Sequence, residues 1–178
     1  MMRAALLALL LLTLSACGFQ PLYGKVDDRD IEVGTYLASI KVDGIPGLSG
    51  QQLQMALEDR LNPNAKPSLY GKAFRLSVSL KVRRNPVIVE QDGSIPRYNL
   101  NLASSYRLID ENSQEVLDTG VARRVVSFNQ ADEKFAAYVA EKDALERGLS
   151  EMAEDYRMRL AAYFAQHYKL SEGQVVSQ

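Results

Sequence analysis

The chain is poor in the side chains that build redox and metal sites. Its 178 residues include one cysteine, one histidine and no tryptophan. A single thiol cannot form an internal disulfide, and one thiol with one imidazole is too few for a metal site made of such ligands. The histidine, His167, lies near the end of a helical pattern, where an isolated imidazole is typical of a solvated surface residue. We therefore expect no disulfide, no metal and no other cofactor.

Apolar runs long enough to span a membrane are also absent. Residues 4–14 form an uncharged, mostly apolar run of eleven residues, shorter than the ~20 that a spanning helix needs. Arg3 precedes the run and Ser15-Ala16-Cys17 follows it. A cationic start, a short apolar middle and small residues at the end predict a secretory signal peptide over residues 1–16.

The small residues directly before the cysteine resemble the lipobox of bacterial lipoproteins. The resemblance implies cleavage before Cys17 and attachment of a diacylglyceryl group to its thiol. Two or more acyl chains hold a protein stably on a membrane. In enteric bacteria, a residue such as Gly18 at the next position, in place of Asp, favours transport onward to the outer membrane. The alternative is an ordinary signal peptide followed by an incidental cysteine.

A strong excess of charge of one sign is absent as well. After loss of residues 1–16, the remaining 162 residues carry 20 basic and 22 acidic side chains, a net charge near −2. This balance gives no global attraction to nucleic acid or to an anionic membrane, so any polyanion site must come from a local cluster. The length suits one domain with a substantial core.

Recognisable catalytic motifs are missing too. The sequence contains no glycine-rich phosphate loop, no Ser or Cys nucleophile signature and no second histidine. Its carboxylates are spread along the predicted helices at spacings typical of a solvated surface. We therefore predict a protein that is not an enzyme.

The alternation of apolar and polar residues predicts the strands. Residues 74–83 alternate with period two, which indicates one dry and one wet face. Asp92-Gly93 lies between extended segments and is typical of a hairpin turn. Gly120 interrupts the alternation of the last strand and predicts a β-bulge there. The predicted strands span residues 35–42, 74–83 with an apolar extension at 87–89, 98–108 and 116–128.

Two segments have helical spacing. Ser49 and Gln52 are placed as a capping box at the start of a helix that Pro63 ends. A longer helix is predicted over residues 132–168, with a possible irregularity at Gly148. Residues 17–34 are predicted as a lipidated tether, 35–170 as the folded domain and 171–178 as a flexible tail.

These elements occur in the order β-α-β-β-β-α. Two helices that cover the dry face of a sheet make a two-layer sandwich. We therefore predict an α+β fold, in which two helices pack on one face of a mostly antiparallel four-stranded sheet. The position of the first strand in the sheet is left open.

Basic residues recur along the predicted strands, with several on the wet face. Neighbouring strands lie ~4.8 Å apart, so same-face cations can cluster and grip phosphate groups. Segments 74–82 and 94–109 contain no acid, which favours a binding surface. The alternative is a solubilising face with acidic partners nearby. The cations are Arg75, Lys81, Arg83, Arg84, Arg97, Arg107, Arg123 and Arg124.

Three segments together resemble the lipopolysaccharide-assembly lipoprotein family LptE. They are the start Cys17-Gly18-Phe19-Gln20-Pro21-Leu22-Tyr23-Gly24, which is similar to the alphaproteobacterial branch, the hairpin 89–93 with Tyr98-Asn99-Leu100 after it, and the helical segments 140–145 and 153–160. The resemblance covers nearly the whole chain, and the order of the segments makes it specific.

The resemblance implies a non-enzymatic lipoprotein of the outer membrane, with its domain on the periplasmic side. LptE proteins plug the lumen of the β-barrel LptD, assist its assembly and help deliver lipopolysaccharide (LPS) to the outer leaflet. The family's turn leads us to expect a basic residue where this chain has Gln91, so we expect Arg83, Arg84, Arg97 or Lys134 to contact LPS. A lipid-anchored envelope adaptor that bridges protein complexes without binding LPS is the competing hypothesis.

Overall fold

The computed structural model describes residues 28–63, 65, 71–87, 97–130 and 133–175. The predicted signal peptide, Cys17, most of the tether and the hairpin turn with Gln91 lie outside these residues. The described elements, in chain order, are α1 (Asp28–Ala38), β1 (Ile40–Val42), α2 (Leu48–Leu61), β2 (Phe74–Val87), β3 (Arg97–Asp110), β4 (Val116–Asn129) and α3 (Lys134–Val175).

The strands form one sheet in the order β1-β2-β3-β4. β1 pairs with β2 in parallel, and the two other neighbouring pairs are antiparallel. A parallel pair needs a crossover connection, and α2 lies in that connection. The α+β sandwich is therefore confirmed, with a mixed sheet and β1 at one edge.

The prediction of a strand from residue 35 is wrong for its first half. α1 extends to Ala38, and β1 contains only Ile40–Val42. Val33, Tyr36 and Leu37 face the core at the i, i+3, i+4 spacing of a helix. The ring of Tyr36 stacks on that of Phe164 at 5.6 Å between centroids. A helix thus begins within the predicted tether, and the described part of the chain has three helices where two were predicted.

The predicted capping box is also wrong. α2 starts at Leu48 with Gly47 as its N-cap, at φ 83°, and without a side-chain capping bond. Ser49 therefore lies inside the first turn, where its hydroxyl cannot act as the cap. The buried Oε1 atom of Gln52 has no hydrogen-bond partner, so it does not close the reciprocal bond that a capping box requires.

Gly120 of β4 and Gly148 of α3 both allow close packing. In β4 the register shift lies at Leu117, because Leu108 pairs with Asp118 and Ile109 with Val116. The bulge predicted at Gly120 is therefore wrong, and the ring of Tyr106 occupies the space that a Cβ there would need. α3 runs without a break through Gly148 as far as Val175, past its predicted end. The side chain of Leu102 packs where a Cβ of Gly148 would lie.

The core lies between the helices and one face of the sheet. Tyr156 of α3 is fully buried and donates its Oη–H to Ser104 Oγ at 2.8 Å, and Ser104 donates in turn to the carbonyl of Ser79 at 2.8 Å. Burial raises the pKa of Tyr156, and burial together with a hydrogen bond to Asp118 raises that of Tyr106. Both phenols therefore stay neutral. None of the helices in the described part of the chain is both long and apolar enough to span a membrane.

Candidate anion-binding surface

The face of the sheet that points away from the helices is formed by alternate residues of β2, β3 and β4. We call it the outer face. The register assigns it the odd-numbered positions 75–87, 97–109 and 119–129. None of these positions carries an acid. The cations there are Arg75, Lys81, Arg83, Arg97, Arg107 and Arg123.

Three of these cations surround one small residue. Lys81 and Arg123 are both register partners of Ala103, which lies between them on β3. In the next row of the sheet Arg83 is paired with Asn101. Adjacent strands lie ~4.8 Å apart, so the three cationic side chains rise around the exposed Ala103. An anion above Ala103 would meet three positive groups and no negative one.

Ion pairing separates Arg75 from the rest of the outer face. Its Nε donates to Glu111 Oε2 at 3.1 Å, and its Nη2 donates to Gln114 Oε1 at 2.7 Å. Within the described residues no ion pair engages the other cations of the face, namely Lys81, Arg83, Arg97, Arg107 and Arg123.

Beside Arg107 the outer face has a shallow depression of about 660 Å³. Small hydroxyl side chains line much of it, and two of them, Ser79 and Ser105, are hydrogen-bonded at 2.8 Å between their Oγ atoms. Hydroxyl groups and a guanidinium all donate to anionic oxygens. The polar side chains that line it are Ser77, Ser79, Ser105, Arg107 and Thr119.

Two of the sequence-predicted site residues lie on this face, and the structure brings them only loosely together. Arg83 is in the row of Asn101, whereas Arg97, the first residue of β3, pairs with Val87, the last residue of β2. The row that contains Asn85 and Asn99 separates them. The two arginines are therefore two rows apart on neighbouring strands.

Arg84 lies on the opposite, helix-covered face. Its guanidinium carbon is 4.1 Å from the ring centroid of Tyr98 and 5.3 Å from that of Phe128. Nη1 pairs with Glu141 Oε2 at 2.8 Å, and Nη2 donates to Gln130 at 2.6 Å. Through these contacts the guanidinium of Arg84 links β2 to α3.

The remaining predicted cations are not part of the outer face either. Arg124 points toward α3, where it pairs with Asp155 at 3.5 Å and Glu151 at 3.9 Å. Lys134 is the first residue of α3 and is exposed, but nothing in the described residues brings it into contact with Arg83 or Arg97.

Sequence reasoning missed the uncharged part of the surface. The hydroxyls of the depression and the amides of Asn85, Asn99 and Asn101 share the odd parity of Arg83. Asn99 Oδ1 accepts a hydrogen bond from Ser127 at 2.7 Å. A search for charged side chains does not reveal these uncharged groups. The same two-residue period, extended along each strand, predicts them.

Metal-binding geometry is not found among the described residues, where no three side chains of His, Cys, Asp or Glu group together. Acidic side chains of the helix layer instead form ion pairs with arginines. Hydrogen bonds from Arg157 and Arg60 lower the pKa of Glu154, which thus remains an anion. Among the described residues, the outer face is thus a surface of cationic, hydroxyl and amide side chains without an acid.

The chain is similar to proteins of several bacteria. It is 27% identical to an uncharacterised protein of Rickettsia prowazekii (strain Madrid E) over 92% of this chain and 98% of that protein. A protein assigned as a lipoprotein from Caulobacter crescentus CB15 has a similar crystal structure, with a TM-score of 0.62, 24% identity and coverage of 76% of this chain and 97% of that one. A minor lipoprotein from Acinetobacter baumannii has a TM-score of 0.51 at 14% identity, over 69% of this chain and 91% of that one.

The two solved structures support the fold, whereas the family is identified by a match to the sequence. The model of the lipopolysaccharide-assembly family LptE matches residues 36–160. The match runs from the end of α1 into α3 and contains the whole outer face. The chain belongs to the LptE family of lipopolysaccharide-assembly proteins.

Proposed function

We propose that the protein is a lipid-anchored outer-membrane component of lipopolysaccharide assembly, and that its outer face binds the phosphate groups of LPS. The observation that carries the proposal is the charge pattern of that face. Five cations without an ion pair to a described residue share a surface with hydroxyl and amide groups and with no acid. Guanidinium and hydroxyl donors suit phosphate oxygens, which accept several hydrogen bonds at once.

Family membership supports the rest of the proposal. The domain, without catalytic activity of its own, plugs the LptD barrel, assists its assembly and helps deliver LPS to the outer leaflet. The interiors of such barrels are polar, so a hydrophilic sheet face can lie against the lumen wall without burying apolar surface. Cys17 carries the acyl chains and holds the domain at the periplasmic side of the membrane.

LPS capture by purified variants tests the site. Arg83→Glu with Arg97→Glu reverses two outer-face charges without altering the helix-covered face. We expect the double variant to fold, to capture LPS at least tenfold more weakly, and to respond less to added salt, because fewer screened ion pairs remain. Lys142→Glu with Arg147→Glu makes the same change in net charge on exposed positions of α3 and is the matched control.

The possible outcomes separate the site from the wider function. Equal loss in both double variants would mean that net charge alone attracts LPS. Unchanged capture by the outer-face variant would overturn the assignment of Arg83 and Arg97. Co-purification in detergent decides between the barrel plug and the adaptor, since only the plug leaves the membrane in a tight complex with LptD.

Lipidation at Cys17 is tested separately. Mass spectrometry of the mature protein should find Cys17 acylated at the N-terminus, and Cys17→Ala should leave the precursor unprocessed. A tether-less domain co-expressed with the barrel should still form the complex in detergent, because a large enclosed contact surface holds the plug independently of the lipid. An unmodified Cys17, or cleavage elsewhere, would rule out the anchor.

A further inference from the structure

Along one edge of the sheet, most of β2 has no pairing partner among the described strands. β1 pairs with β2 only from Phe74 to Leu76, whereas β2 continues to Val87. No described strand pairs with β2 on that side beyond this point. We call the segment 78–86 the open edge. An exposed strand edge presents unpaired N–H and C=O groups and is a ready template for another strand.

The parity of the hydrogen bonds identifies the groups at the open edge. On the β1 side, Phe74 donates its N–H to the carbonyl of Ser39, and Leu76 accepts the N–H of Asp43. Residues of one parity point their peptide groups to the same side of a strand. The peptide groups of Val78, Leu80, Val82 and Arg84 therefore point outward. Pro86 has the same parity, as expected where the missing N–H would face away from the sheet.

Apolar side chains line the inner side of this edge. Leu80 is half-buried and Val82 is 37% exposed, although both lie on the helix-covered face. At the start of α3, Phe135 and Tyr138 are 71% and 64% exposed. Glu141, one turn after Tyr138, pairs with Arg84, whose side chain lies over the rings of Tyr98 and Phe128.

The exposed rings of Phe135 and Tyr138 lie on the side of α3 that is buried further along the helix. With 3.6 residues per turn, Phe135 and Tyr138 lie five turns before Ala153 and Tyr156, on the same side. Ala153 and Tyr156 are fully buried. The side of α3 that is buried further along is therefore exposed at its start.

We propose that the open edge binds an extended segment of a partner protein by strand addition. The added strand alternates apolar and acidic residues. Its apolar side chains pack beside Leu80 and Val82 on the helix-covered face, and its acidic side chains lie beside Lys81 and Arg83 on the outer face. Backbone hydrogen bonds supply affinity in this mode of recognition, and the alternate side chains supply specificity. The proposal does not depend on LPS binding.

A second copy of the chain is a poor occupant. Antiparallel pairing of two open edges around Val82 would place Lys81 of one copy opposite Arg83 of the other. Like charges directly opposite each other destabilise a strand pair. The same two cations attract a strand with carboxylates at these positions, so charge favours an acidic partner over self-association.

The other edge of the sheet is less accessible to a new strand. On β4 the carbonyl of Val121 accepts a hydrogen bond from Arg159 Nη1 at 3.1 Å, and that of Arg123 accepts one from Arg124 Nη1 at 2.9 Å. Within the described residues no side chain donates a hydrogen bond to the outward carbonyls of β2, those of Val78, Leu80, Val82 and Arg84. Strand addition is therefore expected at β2 and not at β4.

The test uses a short fluorescent peptide of alternating glutamate and valine, titrated into the full mature protein. We expect saturable binding and at least tenfold weaker binding of a lysine–valine peptide. Val82→Pro removes one outward N–H without removing a bond to β3, and should weaken binding at least tenfold. Val82→Thr keeps the N–H and is the matched control. Equal binding of both peptides, or of Val82→Pro and wild type, would overturn the proposal.

Hydrogen exchange and a modified peptide keep the test valid if Val82→Pro does not fold. In the wild-type protein the acidic peptide should slow exchange at the amides of Leu80 and Val82, while the amide of Lys81, which faces β3, is already protected. N-methylation of alternate peptide residues should abolish binding in one register and spare it in the other. Unchanged exchange at Leu80 and Val82, or equal binding of both methylated peptides, would mean that the edge does not receive a strand.

Discussion

The two faces of the sheet hold arginines in different environments, although the arginines come from the same strands. On the helix-covered face Arg84 pairs with Glu141, and Arg124 pairs with Asp155. On the outer face Arg83 and Arg123, the neighbours of those residues in sequence, have no ion pair with a described residue. Strand alternation therefore separates cations that pair with acids of α3 from cations that have no ion pair with a described residue.

The difference teaches where stability and recognition are located. Packing against α3 holds the fold together, because Leu102 and Tyr156 are almost completely removed from solvent. The outer face contributes little apolar burial and can carry an unbalanced charge at small cost. Substitutions on the two faces should therefore separate loss of stability from loss of binding.

The largest expected effect comes from the packed face. Leu102→Ala removes a side chain that is 1% exposed and that fills the space over Gly148. Truncating a buried leucine costs about 2–5 kcal/mol of unfolding free energy, through lost transfer energy and the cavity left behind. Denaturant titration measures it.

The adjacent residue gives the matched control. Asn101→Ala changes the outer face of the same strand, and we expect a change within about 0.5 kcal/mol. Similar costs at Leu102 and Asn101 would contradict the assignment of one packed and one solvated face.

A smaller effect is expected where the sheet itself is tightly packed. Gly120→Ala puts a Cβ 2.7 Å from Cζ of Tyr106, so the ring must move and its hydrogen bond to Asp118 is disturbed. Overpacking of this kind costs about 1–3 kcal/mol. Thermal unfolding measures the loss, which should disappear in a Tyr106→Val background.

Gly44→Ala is the control for the loss of a glycine. No atom lies within 4 Å of a Cβ built there, so the substitution should be neutral or slightly stabilising, since alanine restricts the unfolded chain. A cost at Gly44 equal to that at Gly120 would show that chain flexibility, and not the Tyr106 ring, explains the effect.

The sequence predicted the sheet well because period-two alternation is a local property. Residues 74–83 and 98–108 needed no distant information, and the observed register keeps their parity. α1 was missed because Tyr36, Ile40 and Val42 share one parity, although Val33, Tyr36 and Leu37 also have helical spacing. Only the packing of Tyr36 against Phe164, far along the chain, decides between the two patterns.

The candidate site was predicted in part for the same reason. The parity of Arg83 follows from its own strand, whereas the role of Arg84 depends on Glu141 and on the rings of Tyr98 and Phe128, which no local pattern brings together. The open edge of β2 was not predictable, because it depends on how little of β2 the short β1 covers.

The smallest change in stability is expected at Arg84, and its sequence neighbour Arg83 should show the opposite behaviour. Replacing Arg84 should lower stability without affecting LPS capture, whereas replacing Arg83 should weaken LPS capture without affecting stability. Arg84→Ala removes a cation–π contact worth about 0.5–1 kcal/mol at an exposed site. It also removes an ion pair of the partly exposed kind, worth about 0–1 kcal/mol. We expect a loss of about 0.5–1.5 kcal/mol in unfolding free energy with LPS capture unchanged.

Arg83→Ala should leave stability within about 0.5 kcal/mol and weaken LPS capture, because it removes a cation from the group around Ala103. Denaturant titration and LPS capture on the same two preparations give both readings. If Arg84→Ala weakened capture as much as Arg83→Ala, the two faces would not be functionally distinct, and α3 would have to be included in the binding surface.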